Sequence, residues 1–304
     1  MKKNIINSIT VILIIVLGLS LSACSQKKQD DKTNLNKKSS EIEKLYGGNL
    51  PWYDVIYENE YESDEKSMDY YDFPLITDEK VTSFEYVSSE LEGDGKDACI
   101  FRVEEFDPDE DIECNGKHIN FFHMKIGINT KEAVNLKLTM MKVRLNGKPF
   151  DYPLENVMFR NVKGAFGEEY SVGEDLKYYI SPVAVRQEFL KETESVGVEV
   201  YNDCTIGTYK IENYVKIDDL KEYLNGEEIT VSDATKVKEG DRVAYSFVVS
   251  GPDKELVRPA RISTYITYED KEGNKKVFLV PQGFCSYPLP EVSYVRNYVK
   301  QLEE

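Results

Sequence analysis

The sequence predicts a mainly β protein built from two β-sandwich domains and closed by an amphipathic helix. Three observations carry this expectation. From about residue 76, short runs rich in branched and aromatic residues recur at near-regular spacing, Gly and Asn turns separate them, and the last stretch changes to helical periodicity. The roughly 230 residues involved suit two domains of about 100 residues each. The expected division is 1–23 signal, 24–49 tether, 50–75 aromatic lead-in, 76–168 first sandwich, and 169–304 second sandwich with the C-terminal helix.

Residues 1–23 read as a secretory signal. Met1-Lys2-Lys3-Asn4 is basic, "ITVILIIVLGLSL" (9–21) is apolar but short for a bilayer span, and small residues precede Cys24. Leu21-Ser22-Ala23-Cys24 resembles the lipobox of bacterial lipoproteins. The resemblance implies cleavage before Cys24, a thioether-linked diacylglycerol on its sulfur, and anchoring by acyl chains such as palmitate at the extracytoplasmic face of the cell membrane. Two or more chains anchor durably where one is marginal. An uncleaved membrane helix over Ile5 to Ala23 is the competing reading, and it also places the body outside the cytoplasm.

The tether, "SQKKQDDKTNLNKKSSEIEKLYGGN", has no aromatic before Tyr46 and too few apolar residues to offset its chain entropy. As a flexible coil it spans about 25–30 Å. In the lead-in, Trp52, Tyr53, Tyr57, Tyr70 and Tyr71 alternate with acids. Such rings either form a sugar-stacking or partner-docking surface, or lie on the domain that follows.

In the first block, "VTSFEYVSSEL" (81–91), "ACIFRVEEF" (98–106), "HINFFHMKIGI" (118–128), "VNLKLTMMKVRL" (134–145) and "NVMFRNV" (156–162) read as strands. Asn115-Gly116 and Asn146-Gly147 mark tight hairpins. Alternation in the third run puts Asn120, Phe122, Met124, Ile126 and Ile128 on one face, the predicted core, and Ile119, Phe121, His123, Lys125 and Gly127 on the other. In the second block "VGVEVY", "CTIGTYKIENY", "EEITVSD", "DRVAYSFVVSG", "ARISTYITYED" and "KKVFLVP" are strand-like. "KIDDLKEYL" before Asn225-Gly226 reads as a short helix, and "SPVAVRQEFLKE" as another, with Ser181 as N-cap and Pro182 at its first position. The phrase "VKEGDRVAYSFVVSG" resembles strands of immunoglobulin-like modules on bacterial surfaces, which implies immunoglobulin-like topology for both sandwiches. At the end, Val292, Val295, Val299 and Leu302 form a helical stripe that packs on the body or on a partner.

Charge narrows the partners. Loss of Lys2 and Lys3 with the signal leaves 36 cations against 55 acids, a net of −19, so nucleic acid is excluded as a natural partner. Only His118 and His123 are available as bases, and HExxH, GxSxG and phosphate-cradling loops are all missing from the sequence. With so many acids a glycosidase-like carboxylate pair is a standing alternative.

Between Cys99 and Cys114 lie seven carboxylates and one arginine. Three readings apply. The economical one pairs Cys99 with Cys114 and Cys204 with Cys285, the first link contributing about 3 kcal/mol through loop entropy. A zinc site from Cys99, Cys114, His118 and His123 lacks the short knuckle spacing such sites use. A weak calcium site would use Asp107, Asp109 and Asp111, which alternate as in half an EF-hand, though Ile112 stands where the turn glycine belongs. No other cofactor is expected.

The expected function is therefore a non-enzymatic, lipid-anchored surface module that binds a protein or glycan or takes part in assembly. The alternatives are an exported carboxylate-dependent hydrolase of wall or polysaccharide, or an accessory subunit of an envelope complex docking through the C-terminal helix. Replacing Cys24 with alanine should abolish metabolic labelling with palmitate, and labelling that persists would refute the anchor.

Overall fold

The computed structural model describes residues 41–58, 68–130, 132–180, 193–211, 216–250, 260–280, 284–286 and 299. The signal, most of the tether and the helix expected at 181–192 lie outside the described residues, as does the C-terminal helix except for Val299. From Glu41 onward the chain forms one compact unit, and it is mainly β.

The first sheet contains β1 (Leu45–Tyr46), β3 (Asp69–Thr77), β7 (Lys117–Ile128) and β5 (Cys99–Phe106) in that order, with β6 (Ile112–Cys114) also on β7. The second runs β22 (Phe284–Ser286), β19 (Ala260–Ile262), β2 (Trp52–Tyr57), β10 (Asn156–Asn161), β8 (Asn135–Leu145) and β4 (Phe84–Asp94), with β9 (Lys148–Pro153) also on β8. The third orders β11 (Ser171–Val172), β21 (Lys275–Leu279), β20 (Thr264–Asp270), β14 (Cys204–Ile211) and β17 (Thr235–Val237). The fourth orders β12 (Leu176–Ile180), β13 (Thr193–Val200), β18 (Arg242–Ser250), β15 (Lys216–Leu224) and β16 (Glu227–Ile229). A short helix, α1 (Val162–Phe166), follows β10 and is capped by the Asn161 carboxamide, which accepts the Gly164 N–H.

Turn chemistry sets the hairpins. Asn115-Gly116, Asn146-Gly147 and Asn225-Gly226 all have positive φ at both positions, the type I′ geometry whose twist matches antiparallel strands. The third of these corrects the helix expected at "KIDDLKEYL": the segment is β15, paired with β18 and turning directly into β16. The spacing of Ile217, Leu220 and Leu224 mimics a helical stripe, but a two-residue I′ turn demands extended chain on both sides.

The face assignment in β7 holds. Asn120, Phe122, Met124, Ile126 and Ile128 are buried, and His123 and Lys125 are only partly so. The other face is covered at one end, where Ile119 joins Leu50, Ile76, Cys114 and Val299 in a small separate cluster.

The aromatic lead-in is drawn into the centre of the fold. β2 falls within it and β3 begins in it, and β2 pairs in parallel with β10 on one side and β19 on the other. Because a strand's side chains alternate, β2 serves two cores. Tyr53, Val55 and Tyr57 enter the core between the first and second sheets, while Trp52 packs on the core of the third and fourth sheets and Ile56 on a cluster with Val162, Val277 and Leu279. Asp54, also buried, is ion-paired with Arg160 of β10.

Phe73 of β3 is fully buried, edge-on to Tyr53 at 5.5 Å and stacked on Phe122 at 5.2 Å. Phe73→Ala should cost about 3–5 kcal/mol through lost transfer energy and cavity formation, read as a lowered urea midpoint.

Candidate functional site

Of the lead-in aromatics Trp52, Tyr53, Tyr57, Tyr70 and Tyr71, only Tyr70 stands out from the surface, at 54% exposure. Tyr53, Tyr57 and Tyr71 are core residues and Trp52 is partly buried, so these four do not form a surface platform. Their hydroxyls are satisfied inside: Tyr57 Oη and Tyr71 Oη share a hydrogen bond of 2.8 Å, and Tyr53 Oη donates to the Asp72 carbonyl.

Tyr70 belongs to the outer face of the first sheet, where cross-strand register sets two rows. One is Tyr70, Lys125 and Arg102, and the next is Asp72, His123 and Glu105. Lys125 Nζ lies 4.7 Å from the Tyr70 ring centre and 3.2 Å from Glu104. His123 Nδ1 is 2.6 Å from Asp72 Oδ1. That hydrogen bond is the main reason the imidazole pKa is raised above its usual value; Glu105 and Glu110 add to it and partial burial opposes.

The acidic loop resolves into local contacts. Asp107 Oδ1 accepts the Asp109 N–H at the start of a short 3-10 turn, Asp109 faces Lys80 at 3.8 Å, and Asp111 Oδ2 meets His118 Nδ1 at 2.8 Å. Among the described residues no group of three His, Cys, Asp or Glu side chains is arranged to hold a metal ion.

The expected Cys99–Cys114 link is not formed, and both side chains are free thiols. The register explains why: Cys99 lies opposite Ile128 and Cys114 opposite Lys117, at the two ends of β7. Those partners are eleven residues apart, about 35 Å along a strand. The loop between the cysteines is thus an entire strand, β5, plus its return. Cys204 is also free, and burial pushes the thiols of Cys99 and Cys204 up to about 12. Protonated thiols of this kind are poor nucleophiles and poor metal ligands. The side chain of Cys285 lies outside the described residues.

The more developed surface is the outer face of the fourth sheet. Its inner face supplies Val196, Val198, Val243, Tyr245 and Phe247 to the core. The residues between them face outward in three rows: Lys177, Glu199 and Arg242; Ile180, Gly197, Ala244 and Tyr223; Ser195, Ser246 and Lys221. A β-bulge in β12 places Tyr179 over Gly197, where a Cβ would come within 2.7 Å of the ring. Without that atom the ring lies against the strand, and it remains 40% exposed. The Arg242 guanidinium is 5.3 Å from the ring centre and 3.6 Å from Glu199. Lys221 pairs with Glu228 at 3.4 Å on the other margin.

Sequence reasoning missed this face, although a signal is present in "LKYYI". Leu176 is a core residue, and adjacent tyrosines in one strand cannot both point inward. Tyr178 and Tyr179 are both exposed, as is Tyr201 beyond β13.

No protein-family model matches the chain, and no curated protein does. Solved structures give distant likenesses. A secreted serine protease, VesC, from Vibrio cholerae has 9% identity and a TM-score of 0.18, over 78% of this chain and 52% of its own. The collagen-binding domain of the Erysipelothrix rhusiopathiae surface protein RspB has 10% identity and a TM-score of 0.21, over 81% and 90%. The C-terminal domain of the Streptococcus agalactiae AgI/II polypeptide BspA has 11% identity and a TM-score of 0.20, over 69% and 82%. This chain thus spans about half of the first and most of the other two. At such TM-scores none of the three supports an argument about fold or function.

The Asp72–His123 pair makes stability depend on pH with a definite sign. The folded state holds the imidazole proton more tightly than the unfolded chain, whose value is about 6.5. The contribution is therefore complete below that pH and is lost as pH rises through the raised folded value. Urea midpoints should fall as pH rises above about 6.5, and the difference between wild type and His123→Gln should shrink in the same direction. A gap that instead widened with pH would contradict the assignment.

Proposed function

We propose that the chain is a lipid-anchored, non-enzymatic surface protein whose β body presents an open sheet face to a partner outside the cytoplasm. The signal and lipobox at residues 1–24 support the location. The observation that carries the binding role is the outer face of the fourth sheet, where an aromatic ring is fixed yet exposed between two charged margins. A ring already held by its own backbone loses little entropy on binding, which favours recognition over a purely structural use.

We read the halves of the body as immunoglobulin-like sandwiches that share the second sheet. The two histidines are both engaged with carboxylates, Asp111 and Asp72, which supports a structural use for them over general-base chemistry. The partner is a protein or a glycan of the cell surface.

Crosslinking on intact cells followed by recovery of the full chain tests this. Adducts should form with a surface or wall component and should fall several-fold in a Tyr179→Ala, Tyr223→Ala variant of unchanged melting temperature. Equal capture by that variant would sink the assignment to this face.

A further inference from the structure

Resting on this reading, we infer that the outer face of the fourth sheet is a glycan subsite, and that its ligand is a neutral polysaccharide with Tyr179 as the stacking platform. The floor of the subsite is made of small residues. Gly197 and Ala244 lie in register, with Ser195 and Ser246 in the adjacent row. Tyr179 rises over Gly197 on one side and Tyr223 follows Ala244 on the other. Three inter-strand steps, β12 to β13 to β18 to β15, separate the strands that carry these rings, so their backbones lie about 14 Å apart with the trough between them.

Three features select the ligand class. A sugar ring offers an apolar C–H face and a periphery of hydroxyls, so it needs a flat aromatic surface with paired donors and acceptors beside it. Tyr179 provides the surface, and the Glu199–Arg242 and Lys221–Glu228 pairs provide the margins. Each pair is internally neutral, which leaves Lys177 of the first row as an added cation on the edge strand, while the chain's net −17 repels polyanions. A protein partner, by contrast, favours a contiguous apolar centre in which anchor side chains become fully desolvated. Here the floor beside the Tyr179 ring is alanine and serine, Gly197 itself being covered by that ring and by Ile180, and such a floor excludes deep anchoring and admits a flat chain.

Affinity electrophoresis of the full chain in mild detergent tests the inference, with hydroxyethyl cellulose, mannan and dextran as neutral probes and polygalacturonate as the acidic one. At least one neutral polymer should retard the protein, and raised salt should leave the retardation intact. Tyr179→Ala should weaken it about tenfold or more, Tyr179→Phe should retain it, and Tyr70→Ala, on a different sheet, should not affect it. Arg242→Gln provides a variant that leaves the ring packing on Gly197 in place and should still lower affinity. No retardation by any neutral probe, stronger retardation by polygalacturonate, or wild-type retardation of a folded Tyr179→Ala protein would overturn the proposal. A photo-crosslinker at position 179 separates the two levels of inference. A protein adduct there would overturn the glycan and leave a binding face, whereas no adduct together with no retardation would overturn both.

Discussion

Everything in the body depends on one strand being buried on both sides. β2 is short, yet its alternate side chains serve separate cores, with Tyr53, Val55 and Tyr57 in one and Trp52 and Ile56 in the others. Fully burying one such side chain is worth about 1.5–3 kcal/mol, so the same strand commits several kcal/mol to each half. The Asp54–Arg160 pair within this layer works differently. A buried ion pair gains little over well-packed apolar residues, but a register slip would leave two uncompensated charges inside. It selects the alignment of β2 on β10 more than it adds to overall stability.

The halves are further joined at β19. Its Arg261 meets Asp69 at 2.8 Å and lies 5.6 Å from the Tyr71 ring centre, while the Ser263 hydroxyl accepts the Ile56 N–H. The Ser263 N–H in turn donates to the Asp54 carbonyl. Polar groups from the second half thus complete the environment of strands from the first. Their sequence separation of about 200 residues makes this a late, long-range closure in folding.

Local patterns were legible in the sequence wherever local physics decides. The Asn-Gly turns, the buried face of β7 and most strand runs follow from backbone sterics and alternation, which need no tertiary information. What was not legible is what only long-range pairing decides. The lead-in read as peripheral because its acids interrupt the aromatics, yet Asp54 is neutralised by a residue more than a hundred positions away. The Cys99–Cys114 spacing suggests a clip as long as only a turn separates them, whereas a full strand fills the interval. The segment ending at Leu224 has apolar spacing that mimics a helical stripe, and hydrogen bonding to β18 overrides it. The trough on the fourth sheet was half legible: adjacent tyrosines announce an exposed ring, but the glycine beneath one of them is found only through register.

The position of β2 also bears on mechanics. On the proposed reading the protein is held by its N-terminal end while a partner grips the far sheets, so tension would enter the body through the segment leading to β2. The two-residue β1 offers little resistance. β2 then meets the load along its own axis, hydrogen-bonded in parallel to neighbours on both flanks. Bonds lying across the direction of pull share the force, whereas those of a strand peeled from one end break in sequence. The strand that organises the cores would therefore also be the element that keeps a tethered molecule folded under drag.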